Sequence, residues 1–121
     1  MSLTVTDIAA AFSHHEFQDT YEYMLDDIKW MLVGERNIRG KVDVVATCEE
    51  SSKYLATVRT RFVTFKIIEA ESSVVIDSRA EYVDAEGESS LIASCDIYEF
   101  NDGNLAAITS YTVELEGSPE D

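Results

Sequence analysis

The stretch that decides the fold spans residues 90–115, "SLIASCDIYEFNDGNLAAITSYTVEL". Each half alternates between apolar and other residues, which is the period of a β-strand that covers a core with one face. Between the halves lies Asn101-Asp102-Gly103, and Asp-Gly is a strong signal for a tight hairpin turn because both residues accept positive φ. The stretch therefore predicts an antiparallel hairpin of two long strands.

Further stretches with a period of two precede this hairpin. They lie at residues 57–71, "TVRTRFVTFKIIEAE", and 74–84, "VVIDSRAEYVD". An extended run is predicted earlier, at 26–32, and the segment 34–40, "GERNIRG", predicts a loop because a glycine bounds it on each side.

Helical spacing of apolar residues occurs only before residue 56, with Thr4 or Thr6 placed to cap the first helix. The predicted helices cover residues 3–15, 16–24 and 41–55. Helices that precede a run of antiparallel strands predict an α+β domain, with the helices on one face of a bent sheet.

The length, net charge and composition of the chain restrict its possible functions. The chain has 121 residues and a net charge of −15, so we expect one domain over 1–115 with an acidic tail at 116–121, and no nucleic-acid partner. No long apolar run or signal peptide is visible, so no membrane partner is expected and the predicted location is cytoplasmic. Cys48 and Cys95 lack metal-site spacing and are interpreted as reduced thiols.

The strand at 91–100 presents two different faces. Alternation places Ile92 with Ser94, Asp96 and Tyr98, whereas the opposite face is purely apolar and suits a dimer interface or a buried back side. The polar face suits a pocket, because small-molecule sites combine apolar walls with a few convergent polar groups. Two interpretations of Asp96 stay open: nearby hydroxyl groups satisfy it and it only orders the pocket, or it binds or transforms a ligand.

Residues 10–45, "AAFSHHEFQDTYEYMLDDIKWMLVGERNIRGKVDVV", and 98–111, "YEFNDGNLAAITSY", carry a family resemblance. In order and spacing they resemble nuclear-transport-factor-2-like domains, in the branch of SnoaL-like polyketide cyclases and ketosteroid isomerases. The resemblance spans about residues 3–115. It implies a cystatin-like cone, in which three N-terminal helices pack on a strongly curved, mostly antiparallel sheet. It also implies a pocket inside the cone and a homodimer formed through the outer sheet face.

The comparison with ketosteroid isomerases gives one match and three mismatches. The position of the catalytic base falls on Met31, that of the main phenol donor on Ile8, and that of a supporting tyrosine on Cys48. The oxyanion-hole aspartate falls on Asp96, so Asp96 is the candidate catalytic residue, while steroid-type isomerisation is not expected. The predicted pocket residues are Phe12, Met31, Cys48, Ser78, Tyr82, Ser94, Tyr98, Ser110 and Thr112.

The resemblance and the pocket predict a domain that binds a small apolar or amphipathic ligand. If it is an enzyme, we expect cofactor-independent acid–base chemistry of the cyclase, dehydratase or isomerase type. The alternative is a non-catalytic interaction or scaffold domain whose cone is filled by its own side chains, and the volume of the cavity discriminates between the two. No cofactor or metal is expected, because no glycine-rich phosphate loop or Cys/His metal spacing occurs.

His14 and His15 precede Glu16, but adjacent helical residues face apart, so a capping or surface role is favoured over a metal site. The alternative is that one of the two histidines reaches the mouth of the pocket as a base for Asp96. Trp30 and Tyr54 are candidates for the core or for the cavity wall.

Overall fold

The computed structural model describes residues 3–116, in which helices pack on one six-stranded sheet. This confirms the predicted α+β class, while the cone shape stays a prediction. In chain order the elements are α1 (Val5–Ser13), a 3-10 helix (Phe17–Tyr23), β1 (Met24–Leu32), β2 (Arg36–Arg39), α2 (Lys41–Leu55), β3 (Arg59–Glu69), β4 (Ser73–Val83), β5 (Ser89–Asn101) and β6 (Asn104–Leu115).

The strand order is β2-β1-β6-β5-β4-β3, and every neighbouring pair is antiparallel except β1 and β6. The hairpin between β5 and β6 turns at Asp102 and Gly103, whose φ angles are 51° and 83°. Both central residues thus have positive φ, as the twist of a two-residue hairpin requires. The hairpin predicted from residues 90–115 is confirmed.

Helix α1 begins with a capping box. The Thr4 hydroxyl accepts from the Asp7 backbone N–H, and the Asp7 side chain accepts from the Thr4 backbone N–H, so two otherwise unpaired donors are satisfied. Its buried residues are Ile8, Ala9, Phe12 and Ser13. Helix α1 contacts β3, β4 and β5, whereas α2 contacts β1 and β2, so the two helices cover different parts of the sheet.

The loop predicted at 34–40 is wrong for Arg36–Arg39, which form β2 and pair antiparallel with β1. Only Ile38 of this strand is buried. A four-residue edge strand with one buried side chain has no visible alternation, so backbone pairing with β1 rather than apolar periodicity defines it.

The core lies between the helices and the inner sheet face, and its fully buried side chains include Ile8, Ile28, Ile76, Tyr98 and Ile108. Within residues 3–116, no helix is long and apolar enough to cross a membrane. The predicted acidic tail at 116–121 lies outside the described residues except for Glu116.

Candidate functional site

A cavity of about 390 Å³ lies between the helices and the inner face of the sheet. Aromatic and aliphatic side chains make up much of its wall, while hydroxyl groups and one carboxyl group from the sheet and α1 project into it. This is the usual composition of a small-molecule site. The lining residues comprise Phe12, Ser13, His15, Phe17, Trp30, Leu32, Glu35, Arg36, Thr47, Ser51, Tyr54, Leu55, Phe62, Ser78, Ala80, Tyr82, Ile92, Ser94, Asp96, Ser110 and Thr112.

Asp96 reaches the cavity from β5, where alternation directs every second side chain inward. It lies between Ile76 of β4 and Ser110 of β6 in the strand register. The carboxyl group is partly accessible from the cavity, although protein atoms surround it on the other sides.

A chain of hydroxyl groups leads from the core to this carboxyl group. The Ser13 Oγ donates to Asp96 Oδ2 over 2.9 Å and lies 2.6 Å from the Tyr98 hydroxyl. Because a serine hydroxyl has a single proton, Tyr98 donates to Ser13 while Ser13 donates to Asp96. The Ser13 hydroxyl therefore satisfies the fully buried Tyr98 and orients Asp96 at the same time.

Ser110 is held in a similar way on the neighbouring strand. The Trp30 indole Nε1–H donates to Ser110 Oγ over 3.0 Å, which leaves the Ser110 hydroxyl proton free to point elsewhere. Asp96 is close enough for Ser110 to stabilise its ionised form.

Opposing influences act on the ionisation of Asp96. Burial raises the pKa of Asp96 above its usual value of 3.8, and the nearby hydroxyl groups of Ser110, Ser13 and Tyr98 lower it in part. Burial prevails because removing a carboxylate from water disfavours its charge more than these donors restore. The protonated form is thus favoured at higher pH than in an exposed aspartate, which suits a group that donates a proton or a hydrogen bond.

A second polar pair lies at the same cavity. His15 Nε2 is 3.5 Å from the Tyr82 hydroxyl oxygen, and both side chains line the cavity. Burial, and then the adjacent His14, lower the pKa of His15 from 6.5 to about 4, so its imidazole is neutral at neutral pH. His14 instead stacks on Phe65, with ring centroids 3.8 Å apart, so only one of the two histidines reaches the cavity.

Most of the predicted pocket residues line this cavity together with Asp96. They are Phe12, Ser78, Tyr82, Ser94, Ser110 and Thr112. The sequence left open whether Trp30 and Tyr54 belong to the core or to the cavity wall. Both line the cavity, and Tyr54 is 60% exposed.

Three predicted pocket residues lie elsewhere. Met31 is 36% exposed, because the inward side chains of β1 are Ile28, Trp30 and Leu32. Cys48 is fully buried in the core, since the stripe of α2 that lines the cavity contains Thr47 and Ser51 instead. Tyr98 lies behind the wall, where its hydroxyl contacts Ser13 and is close to Asp96, both of which line the cavity.

Ser13 was not among the predicted pocket residues, although the sequence contains a signal for it. Ser13 follows Ala9 by four positions on α1, so it falls on the buried face of that helix. A hydroxyl on a buried helix face needs a partner, which here is the pair Asp96 and Tyr98.

Among residues 3–116, no group of three or more His, Cys, Asp and Glu side chains is arranged to hold a metal ion.

A scan against protein-family models gives no match, and a search of curated proteins gives none either. Among solved structures, a nuclear-transport-factor-2-like protein of unknown function from Cytophaga hutchinsonii is 32% identical, with a TM-score of 0.78 over 88% of this chain and 93% of that one. This similarity covers nearly the whole of both chains. The present chain belongs to the nuclear-transport-factor-2-like family.

More distant structures share the fold alone. A candidate SnoaL-like polyketide cyclase from Jannaschia sp. has a TM-score of 0.71 at 10% identity, over 89% of this chain and 84% of that one. An LEH-like epoxide hydrolase from M. tuberculosis has a TM-score of 0.68 at 17% identity, over 90% of this chain and 82% of that one.

Proposed function

We propose that this protein binds a small apolar or amphipathic molecule in the cavity, with a polar group of the ligand against Asp96. As part of this proposal, we assign the protein to the SnoaL-like and isomerase-like branch of the family. The observation that carries it is the cavity of about 390 Å³ whose apolar wall is interrupted by the carboxyl group of Asp96 and its hydroxyl partners. A cavity filled by the protein's own side chains would have favoured a scaffold domain, so the alternative lacks this support.

We further propose that Asp96 is the acid–base group of a cofactor-independent reaction on a carbonyl or hydroxyl compound, such as a cyclisation, dehydration or isomerisation. Its support is the raised pKa of Asp96, which burial causes, together with a position that a ligand oxygen can approach from the cavity. Steroid-type isomerisation is not favoured, because the inward side chains at the end of β1 are Trp30 and Leu32, neither of which can remove a proton.

The test compares naphthol with naphthalene, which differ only in one hydroxyl group, by isothermal titration calorimetry. We expect wild-type protein to bind naphthol more tightly than naphthalene. Asp96→Asn should weaken naphthol binding about fivefold, because a carboxyl group is a stronger acceptor when ionised, and a stronger donor when protonated, than an amide. Naphthalene binding should not change.

The matched control is Asp77→Asn, the same substitution at an exposed residue on the opposite face of the neighbouring strand β4. The role of Asp96 in ligand binding would be refuted if naphthol bound neither the wild type nor any variant. It would also be refuted if naphthol bound the wild type and Asp96→Asn equally tightly.

We also propose that the chain forms a homodimer through the outer face of the sheet. The support is an apolar patch on β5 and β6, in which Ala93 pairs with Val113 and Cys95 pairs with Tyr111 in the strand register. Tyr111 and Val113 are 47% and 59% exposed, which is costly for large apolar side chains in an isolated chain.

The two unpaired cysteines support a reducing, cytoplasmic location.

A further inference from the structure

The pair formed by His15 and Tyr82 is not used by the chemistry described for Asp96. The separation of 3.5 Å between His15 Nε2 and Tyr82 Oη is longer than an ordinary hydrogen bond, for which about 2.7–3.2 Å is typical. An oxygen atom that lies beside the pair, on its cavity side, can be within about 3 Å of both atoms. The pair is therefore open to a third partner rather than saturated by its own contact.

The two groups differ in hydrogen-bonding capacity. His15 is neutral at neutral pH because burial and His14 lower its pKa to about 4, so one ring nitrogen is a free acceptor. Tyr82 keeps its proton because burial, and then Tyr54 and Asp96, raise its pKa. In the tautomer whose Nε2 carries no proton, an acceptor lies beside the Tyr82 donor, and such a pair is the complement of an alcohol, whose hydroxyl both donates and accepts.

The ring of His15 is held in place from several sides. The rings of Phe17 and Phe62 lie 5.8 Å and 5.5 Å from it, centroid to centroid. Its backbone adopts φ 69°, in the left-handed region that residues other than glycine adopt infrequently and that often occurs at functional sites. The turn after α1 thus directs the imidazole into the cavity instead of continuing the helix.

We propose that His15 and Tyr82 form a second polar subsite, which binds a hydroxyl group of the same ligand whose first polar group contacts Asp96. This inference rests on the proposed ligand-binding function and deepens it. The ligand class becomes a compound with an apolar frame and two separated oxygen functions, of the hydroxy-carbonyl or diol type.

The experiment adds a second hydroxyl to the probe. Calorimetry compares naphthol with the dihydroxynaphthalene isomers, because only an isomer with suitable spacing can reach both subsites. For wild-type protein we expect at least one isomer to bind about fivefold more tightly than naphthol, which corresponds to one additional net hydrogen bond.

Two variants remove the subsite by different means. Tyr82→Phe removes only a hydroxyl from a strand residue, and His15→Asn removes the imidazole while retaining a residue type that accepts positive φ. Both should abolish the preference for the dihydroxy probe, so that its affinity becomes about equal to that of naphthol in the same variant. Tyr54→Phe is the matched control, since it removes a hydroxyl from another tyrosine of the cavity wall.

The outcomes separate the two proposals. If naphthol binding depends on Asp96 but no isomer is preferred, or if the preference survives in Tyr82→Phe and His15→Asn, the second subsite is refuted while ligand binding at Asp96 stands. An equal loss of preference in Tyr54→Phe would also refute the assignment to His15 and Tyr82. Absence of binding by every probe would refute both proposals.

Discussion

The hydroxyl of Ser13 connects the fully buried Tyr98 with Asp96, so its removal should have a larger effect than removal of an ordinary serine hydroxyl. In Ser13→Ala, the Tyr98 hydroxyl loses its partner at 2.6 Å and Asp96 loses one of its donors, at 2.9 Å. A net hydrogen bond contributes about 1 kcal/mol, and one to a charged group about 1.5–3 kcal/mol. Because Tyr98 is also placed to turn toward Asp96, we expect partial compensation and a loss of about 2 kcal/mol in the free energy of unfolding.

Urea unfolding followed by circular dichroism measures this loss. With an m-value of about 2 kcal/mol per molar urea, the midpoint should fall by about 1 M. The control is Ser94→Ala, which removes a hydroxyl from the same cavity wall and should change the free energy of unfolding by less than about 0.5 kcal/mol.

Carbon NMR of the carboxyl group gives an independent readout, since the loss of a donor to the carboxylate should raise the pKa of Asp96 further. The hydroxyl chain is refuted if Ser13→Ala and Ser94→Ala lower stability equally, or if the Asp96 titration is the same in Ser13→Ala and wild type.

The remaining predictions concern pH and assembly. Burial raises the pKa of Asp96 in the folded protein. Between about pH 4 and that raised pKa, the folded protein therefore binds more protons than the unfolded chain, and the free energy of unfolding decreases as pH rises through this interval. Ionisation of His15 has the opposite effect, since its lowered pKa makes the free energy of unfolding increase with pH between about pH 4 and 6.5. Urea titrations at a series of pH values isolate the contribution of Asp96 as the difference between wild type and Asp96→Asn. The stability of Asp96→Asn relative to wild type should increase with pH, and a constant difference would contradict the raised pKa. In sedimentation velocity, wild-type protein should sediment with twice the mass of one chain and Tyr111→Asp as a monomer, whereas Val42→Asp, a change at a residue 82% exposed on α2, should stay dimeric. A monomeric wild type, or a dimer in Tyr111→Asp, would exclude the outer face as the interface.

Local patterns were sufficient to predict most of the fold. The Asp102-Gly103 turn and the alternation on each side of it define β5 and β6 within a short stretch of chain. The parallel contact between β1 and β6 left no comparable mark, because strands remote in the sequence pair through backbone groups that every residue possesses. The edge strand β2 was missed for a related reason, since it buries only Ile38.

The candidate site was predictable where it follows strand alternation. Ser94, Asp96, Ser110 and Thr112 face the cavity as the period of two requires. Met31 was placed by the comparison with ketosteroid isomerases, but the burial pattern of β1 directs Trp30 inward and leaves Met31 36% exposed. The Ser13 contact with Asp96 joins residues 83 positions apart, a distance over which no local pattern acts.

The hydrogen bond between Trp30 and Ser110 connects β1 and β6, which are the first and last strands in chain order and neighbours in the sheet. During synthesis β1 emerges well before β6, so β1 has no central-sheet partner until the hairpin of β5 and β6 has formed. Closure of so long a chain segment has an entropic cost, so we expect the cavity to assemble late in folding. Trp30 is the sole tryptophan of the sequence, and its fluorescence can therefore follow the folding step that encloses the cavity.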